Sequence, residues 1–133
     1  CAALAELGTG LRWMRDATRG GVAAVLNELA RGTALGLEVL EQAFPVEGPV
    51  AAAADLLGLN PLEIANEGVL VAAVAAPAAE RALELLRAQP LGQRACRVGE
   101  VTSQHPGKVI LETAIGGRRI LDLRRGLLLP RIC

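Results

Sequence analysis

The chain has 133 residues, is 52% hydrophobic, and sets 14 basic side chains against 14 acidic ones. That is enough apolar material for one folded domain, and it excludes an intrinsically disordered chain. The balanced charge and a total of two aromatic residues, Trp13 and Phe44, remove the field and the stacking platform that nucleic-acid binding requires.

Residues 1–8 read as the end of a helix stopped by Gly8 and Gly10, and "LRWM" at 11–14 as a short strand. "RDATRGG" then leads into "VAAVLNELA", where Val22, Val25, Leu26 and Leu29 fall on one helical face, so a helix is predicted to end near Gly32. "GLEVL" at 36–40 is a strand, and a second helix starts around Pro49 and stops at Gly58. "VLVAAV" at 69–74 has the continuous apolar character of a strand covered on both faces, and Pro77 opens a third helix. The last third holds three β-type runs, 96–102, 108–114 and 118–123, separated by "SQHPG" and "GG", which predicts an antiparallel meander. The expected fold class is α+β, a mixed, largely antiparallel sheet with helices packed on it, spanning 1–123 and followed by a tail at 124–133.

No apolar run approaches the roughly 20 residues needed to span a bilayer, and no signal-peptide pattern opens the chain. The absence of an initiator Met suggests a piece of a longer protein. Cys1, Cys96 and Cys133 are widely spaced without a CxxC pair, and His105 stands without other histidines, so neither a disulfide framework nor a metal site is expected. This cysteine usage suits a reducing cytoplasm. Cys96 reads as an ordinary buried thiol at the start of a strand, His105 as a solvated turn residue, and Arg118-Arg119 and Arg124-Arg125 as solvated charge.

Three stretches carry chemistry. In "RDATRGGVAAVLNELA" two glycines open a helix whose free amide N–H groups and dipole favour an anion. Asp16 and Thr18 are placed to cap those amides, and Arg19 to pair with a phosphate. Taken alone, the pattern describes a capped helix more often than a phosphate site. In "NPLEIANEGVLV", Glu67 stands at the end of the predicted buried strand, where active-site groups often lie, although a helix C-cap formed by Asn66 and Gly68 accounts for the same residues. The closing "PRIC" puts Cys133 on the last residue. The ten residues 124–133, extended at about 3.3 Å each, would sweep on the order of 30 Å and carry a nucleophilic thiol to a second site.

Together, "MRDATRGGVAAVLNELA", "LGLNPLEIANEGVLVAAV", "PLGQRACRVGEV", "AIGGRRILDL" and "LPRIC" resemble, in order along essentially the whole chain, the C-terminal domain of the HypE family of hydrogenase maturation proteins. That family is related to aminoimidazole ribonucleotide synthetase and selenophosphate synthetase, from which a terminal cysteine distinguishes it. The resemblance implies a carrier role for Cys133. It would receive a carbamoyl group from the carbamoyltransferase HypF and hold it while ATP drives dehydration to a thiocyanate, the source of the cyanide ligand of [NiFe]-hydrogenase iron. It implies Asp16, Thr18, Arg19, Gly20 and Gly21 on the phosphate side of the cleft, and Glu67 as the group that takes a proton or positions the tail. It also implies ATP with Mg2+, bound mainly by an N-terminal domain this chain lacks, so that the chain alone is inactive. HypF, a HypC–HypD iron-carrier complex and a homodimer through that N-terminal domain are the implied partners. A related ATP-dependent small-molecule synthetase and a non-enzymatic docking domain are the alternatives.

Overall fold

The computed structural model describes residues 2–122. The expected tail at 124–133, with Cys133, and also Cys1 lie outside the described residues. Among the described residues, six strands and three α-helices follow one another as β1 (Leu11–Asp16), α1 (Gly21–Thr33), β2 (Gly36–Leu40), α2 (Gly48–Leu57), β3 (Leu70–Val74), α3 (Ala79–Arg87), β4 (Gly99–Thr102), β5 (Val109–Glu112) and β6 (Arg118–Ile120). Short 3-10 segments at Ala2–Gly10, Glu41–Ala43, Pro61–Glu63 and Ala76–Ala78 join them. The fold is of mixed α and β type with two sheets, one of them mixed, as the sequence pattern predicts.

β1 pairs with β3 in a two-stranded sheet. The bonds at its two ends, Ala75 N–H to Gly10 C=O and Ala17 N–H to Val69 C=O, show that the pair is antiparallel. Every residue of β3 is partly exposed. The apolar run is therefore not covered on both faces as expected, because among the described residues its sheet has one partner strand. A two-strand ribbon offers little surface under which to hide a side chain.

Among residues 2–15 and Ala72–Arg97, one compact unit of the chain, α3 packs on the Ala2–Gly10 segment. Leu4 is fully buried there, and Ala82 and Leu85 are buried three residues apart on one side of α3. The Ala2–Gly10 segment is 3-10 rather than the end of an α-helix, broken at Gly8 where φ reaches 52°.

Asp16–Val71 and 98–122 form the second compact unit. Its sheet runs β4-β2-β5-β6. β2 is antiparallel to β4 and parallel to β5, and β5 is antiparallel to β6. The expected meander is thus wrong at one place: β4, β5 and β6 reverse direction in turn along the chain, but β2 inserts between β4 and β5 and runs parallel to β5. The turn signals at "SQHPG" report a reversal and say nothing about which strand fills the space between its arms. Leu37 and Val39 on β2, and Val109 and Leu111 on β5, are buried at alternate positions beneath α1. The opposite face carries Glu38 and Leu40, and the Glu38 carboxylate accepts Arg118 at 2.8 Å. Arg118 is therefore an ion-pair partner rather than simply solvated charge.

Of the predicted stripe on α1, Val25, Leu26 and Leu29 are buried, while Val22 lies near the helix end and is partly exposed. α2 ends where expected, with Gly58 as a left-handed C-cap. The strand expected from Cys96 begins only at Gly99.

Candidate functional site

The two internal motifs meet through the backbone. Ala17 is fully buried; its N–H donates to Val69 C=O at 3.0 Å and its C=O accepts from Asn66 N–H at 3.1 Å. Those bonds lace residues 16–18 to residues 66–69, so that Asp16 and Thr18 stand across one peptide ladder from the loop bearing Glu67. Asp16, Arg19, Gly20 and Glu67 are exposed, and Thr18 is partly exposed.

Thr18 and Asp16 do not cap α1. The Thr18 hydroxyl donates to the Asp16 carboxylate at 2.9 Å, and Gly20, at φ 70°, takes the N-cap position with no side chain bonded to the first turn. This corrects the expected capping. A left-handed Gly20 turns the chain so sharply into the helix that the Asp16–Thr18 pair lies outside the first turn. The N–H groups of that turn are consequently not bonded by a capping side chain.

Gly21 is buried at φ 66°, where a side chain is strained. A Cβ there would stand 2.5 Å from the carbonyl oxygens of both Leu62 and Ile64. The second glycine of the pair is thus required by the Pro61–Glu63 segment, which packs directly beneath the start of α1. That segment is held by Asn60, whose side-chain oxygen accepts Leu62 N–H at 3.0 Å and whose amide nitrogen donates to Glu63 at 3.1 Å. The chain following it delivers Asn66 and Glu67 to Ala17. Gly21, Asn60 and Ala17 therefore form one chain of local causes that places the two motifs side by side.

Sequence reasoning missed Asn27. It is 3% exposed on α1, and its amide nitrogen donates to Ala23 C=O at 2.9 Å and to Leu121 C=O at 2.7 Å. The sequence carried little signal for it: position 27 falls off the stripe formed by Val22, Val25, Leu26 and Leu29, and the Leu121 carbonyl it bonds lies 94 residues further on.

Cys96 is partly buried ahead of β4. Burial pushes its thiol up, against the opposing influence of Arg87 and Arg94. A higher pKa means less thiolate near neutrality. Cys96 is therefore expected to alkylate several-fold more slowly at pH 8 than a free cysteine, measured by iodoacetamide labelling and peptide mapping, and its rate should rise only at more alkaline pH. Equal rates would show that burial does not control this thiol. His105, exposed and at φ 52°, occupies a turn as expected. Among the described residues there is no group of three or more His, Cys, Asp or Glu arranged to hold a metal ion. No helix there is long and apolar enough to cross a membrane.

The family of AIR synthase related proteins, C-terminal domain, matches residues 1–112. Carbamoyl dehydratase HypE of Bradyrhizobium diazoefficiens is 52% identical over 95% of this chain and 36% of its own length. The Escherichia coli protein of the same name is 46% identical over 93% of this chain and 36% of its own. The chain thus spans little more than a third of these relatives. Among solved structures, hydrogenase maturation protein HypE in complex with ATP superposes with a TM-score of 0.90 at 40% identity, covering 99% of this chain and 42% of that one. A HypE–HypF complex matches with a TM-score of 0.86 at 36% identity, over 92% of this chain and 39% of that one.

Proposed function

This chain belongs to the AIR synthase related family, as its C-terminal domain, and from that membership we propose that it is the thiol-bearing part of an ATP-dependent S-carbamoyl-cysteine dehydratase of the HypE type. The observation that carries the proposal is the likeness to proteins named carbamoyl dehydratase over nearly the whole chain. The pairing of the 16–21 and 66–69 segments supports it, because it sets anion-binding and proton-accepting groups beside each other.

In this reading residues 124–133 form an arm and Cys133 its cargo-bearing end. A HypF-type carbamoyltransferase loads the Sγ atom with a carbamoyl group. ATP is the co-substrate: the carbamoyl oxygen takes its γ-phosphoryl group, the bond to ADP breaks, and the nitrogen gives up one proton. The C–O bond then breaks, phosphate leaves with the electron pair, and the nitrogen loses its second proton to give S–C≡N. The net change is loss of one water from the carbamoyl group, coupled to ATP hydrolysis. The product would supply cyanide to iron held by a HypC–HypD-type carrier.

The residues present suit the phosphate side of that chemistry. The uncapped first turn of α1 and the exposed Arg19 guanidinium favour a phosphate, and Gly20 leaves the backbone open to it. Asp16, held by Thr18, lines the phosphate side of the cleft beside Arg19. Glu67, on the adjoining loop, is assigned to take a proton from the carbamoyl nitrogen or to position the arm. Closing such a site against water protects the phosphorylated carbamoyl group from hydrolysis.

The test is peptide mass spectrometry on the full-length protein with a HypF-type transferase, carbamoyl phosphate and ATP. Cys133 is expected to gain a carbamoyl group with the transferase, then to lose one water only when ATP is hydrolysable. An unmodified Cys133 beside an active transferase would overturn the reading.

A further inference from the structure

The part-buried Asn60 side chain makes two bonds, and the first fixes the direction of the second. Its oxygen accepts the Leu62 backbone N–H at 3.0 Å, so its amide nitrogen is the atom that meets the Glu63 carboxylate, at 3.1 Å. A backbone N–H only donates and a carboxylate accepts, so both contacts are satisfied in this one orientation. Capping Leu62 alone requires just an oxygen, which Asp would supply equally well. Holding the carboxylate at position 63 as well requires a donor and an acceptor on separate atoms of one short side chain. An amide has both.

The clamped segment reaches the candidate site by a short path. Glu63 N–H donates to Asn60 C=O at 2.9 Å and Ile64 N–H to Pro61 C=O at 3.3 Å, which closes the turn. Leu62 is buried, and the carbonyl groups of Leu62 and Ile64 flank the space a Cβ on Gly21 would take. Two residues beyond Ile64, Asn66 N–H meets Ala17 C=O, and Val69 C=O accepts Ala17 N–H. Glu67 thus stands between two backbone pins, and the first is set by where the clamped segment ends.

Resting on the functional reading above, we infer that the Asn60–Glu63 pair is a clamp that positions Glu67 for the dehydration step. Asn60 acts through the loop and is a positioning residue. Glu67 is exposed on that loop, whereas the role assigned to it requires hydrogen-bond reach of the carbamoyl group. A loop displaced by about 1 Å therefore slows the reaction steeply.

Asn60→Asp tests this in the full-length protein, because it keeps the cap and replaces the donor with a carboxylate facing Glu63. Single-turnover dehydration of carbamoylated Cys133 at saturating ATP is expected to slow about tenfold at full amplitude. Loading by the transferase should stay as in the parent. A purely structural role would instead lower the amplitude together with the thermal midpoint, and leave the rate constant of the folded molecules alone. Adding Glu63→Gln to Asn60→Asp restores the bond with donor and acceptor exchanged, so the rate should return to within about twofold of the parent. Hydrogen exchange at the Asn66 amide is the second readout, faster in Asn60→Asp and parent-like in the double variant. A parent-like rate constant in Asn60→Asp, or a double variant as slow as the single one, would overturn the inference. If the parent shows no ATP-dependent change at Cys133, the functional reading fails, and exchange at Asn66 still decides whether the clamp holds the loop.

Discussion

Replacing Cys133 with serine in the full-length protein is expected to reduce thiocyanate formation to background and leave the unfolding midpoint where it was. A serine hydroxyl is a far weaker nucleophile near neutrality than a cysteine thiol, which is already part thiolate and is intrinsically reactive. Loading therefore fails first. Any oxygen ester that did form would yield a cyanate on dehydration rather than a thiocyanate, so no S–C≡N product arises by either route. Stability should not follow activity, because a terminal residue is the part of a chain least often held down, and among the described residues the core is closed by side chains such as Leu4, Val109, Leu111 and Leu121. Surface substitutions away from core or caps usually stay within about 0.5 kcal/mol. Product assay and thermal unfolding on the same preparation check both halves. Retained product would remove Cys133 from the chemistry, and a lowered midpoint would make it a structural residue.

Gly21→Ala is expected to act in the opposite way, through the fold. An alanine at φ 66° bears a left-handed penalty of about 1–2 kcal/mol. Its methyl group would also stand 2.5 Å from two carbonyl oxygens, so the Pro61–Glu63 segment must move. The total, on the order of 2–4 kcal/mol, is large for a single methyl group. The midpoint should fall by roughly 10 °C. Because the same segment delivers Asn66 to Ala17, the shift also pulls Glu67 away from Asp16, and dehydration should drop further than unfolding alone explains. Gly32→Ala is the control, in open space within the same helix, and should be neutral or stabilising. Equal midpoints for the two variants would show that the close approach at Gly21 is not what holds the two motifs.

How much of this was legible in the sequence depends on the range of the interaction. The α1 stripe, the β2 run "GLEVL" and the Gly58 stop are set within a few residues, and each was found. The insertion of β2 between β4 and β5 depends on pairing across sixty residues or more and has no local mark. The same holds for the site. Asp16, Gly21 and Glu67 were recognisable as types, but the ladder from Ala17 to Asn66 and Val69 that joins them lies in backbone groups, which every sequence possesses alike. The expected cap by Asp16 and Thr18 was wrong because the two residues satisfy each other. Asn27 lies off the stripe that the helical period marks, so nothing local announces its burial, and its partner Leu121 is 94 residues away.

The most direct measurement of the central claim is the infrared spectrum of the full-length protein after turnover with 13C-labelled carbamoyl phosphate, a HypF-type transferase and ATP. A protein-bound nitrile stretch that shifts with the label, requires hydrolysable ATP and is absent from Cys133→Ser is the expected result. Carbamoylated Cys133 with ATP consumed and no nitrile band would contradict the account.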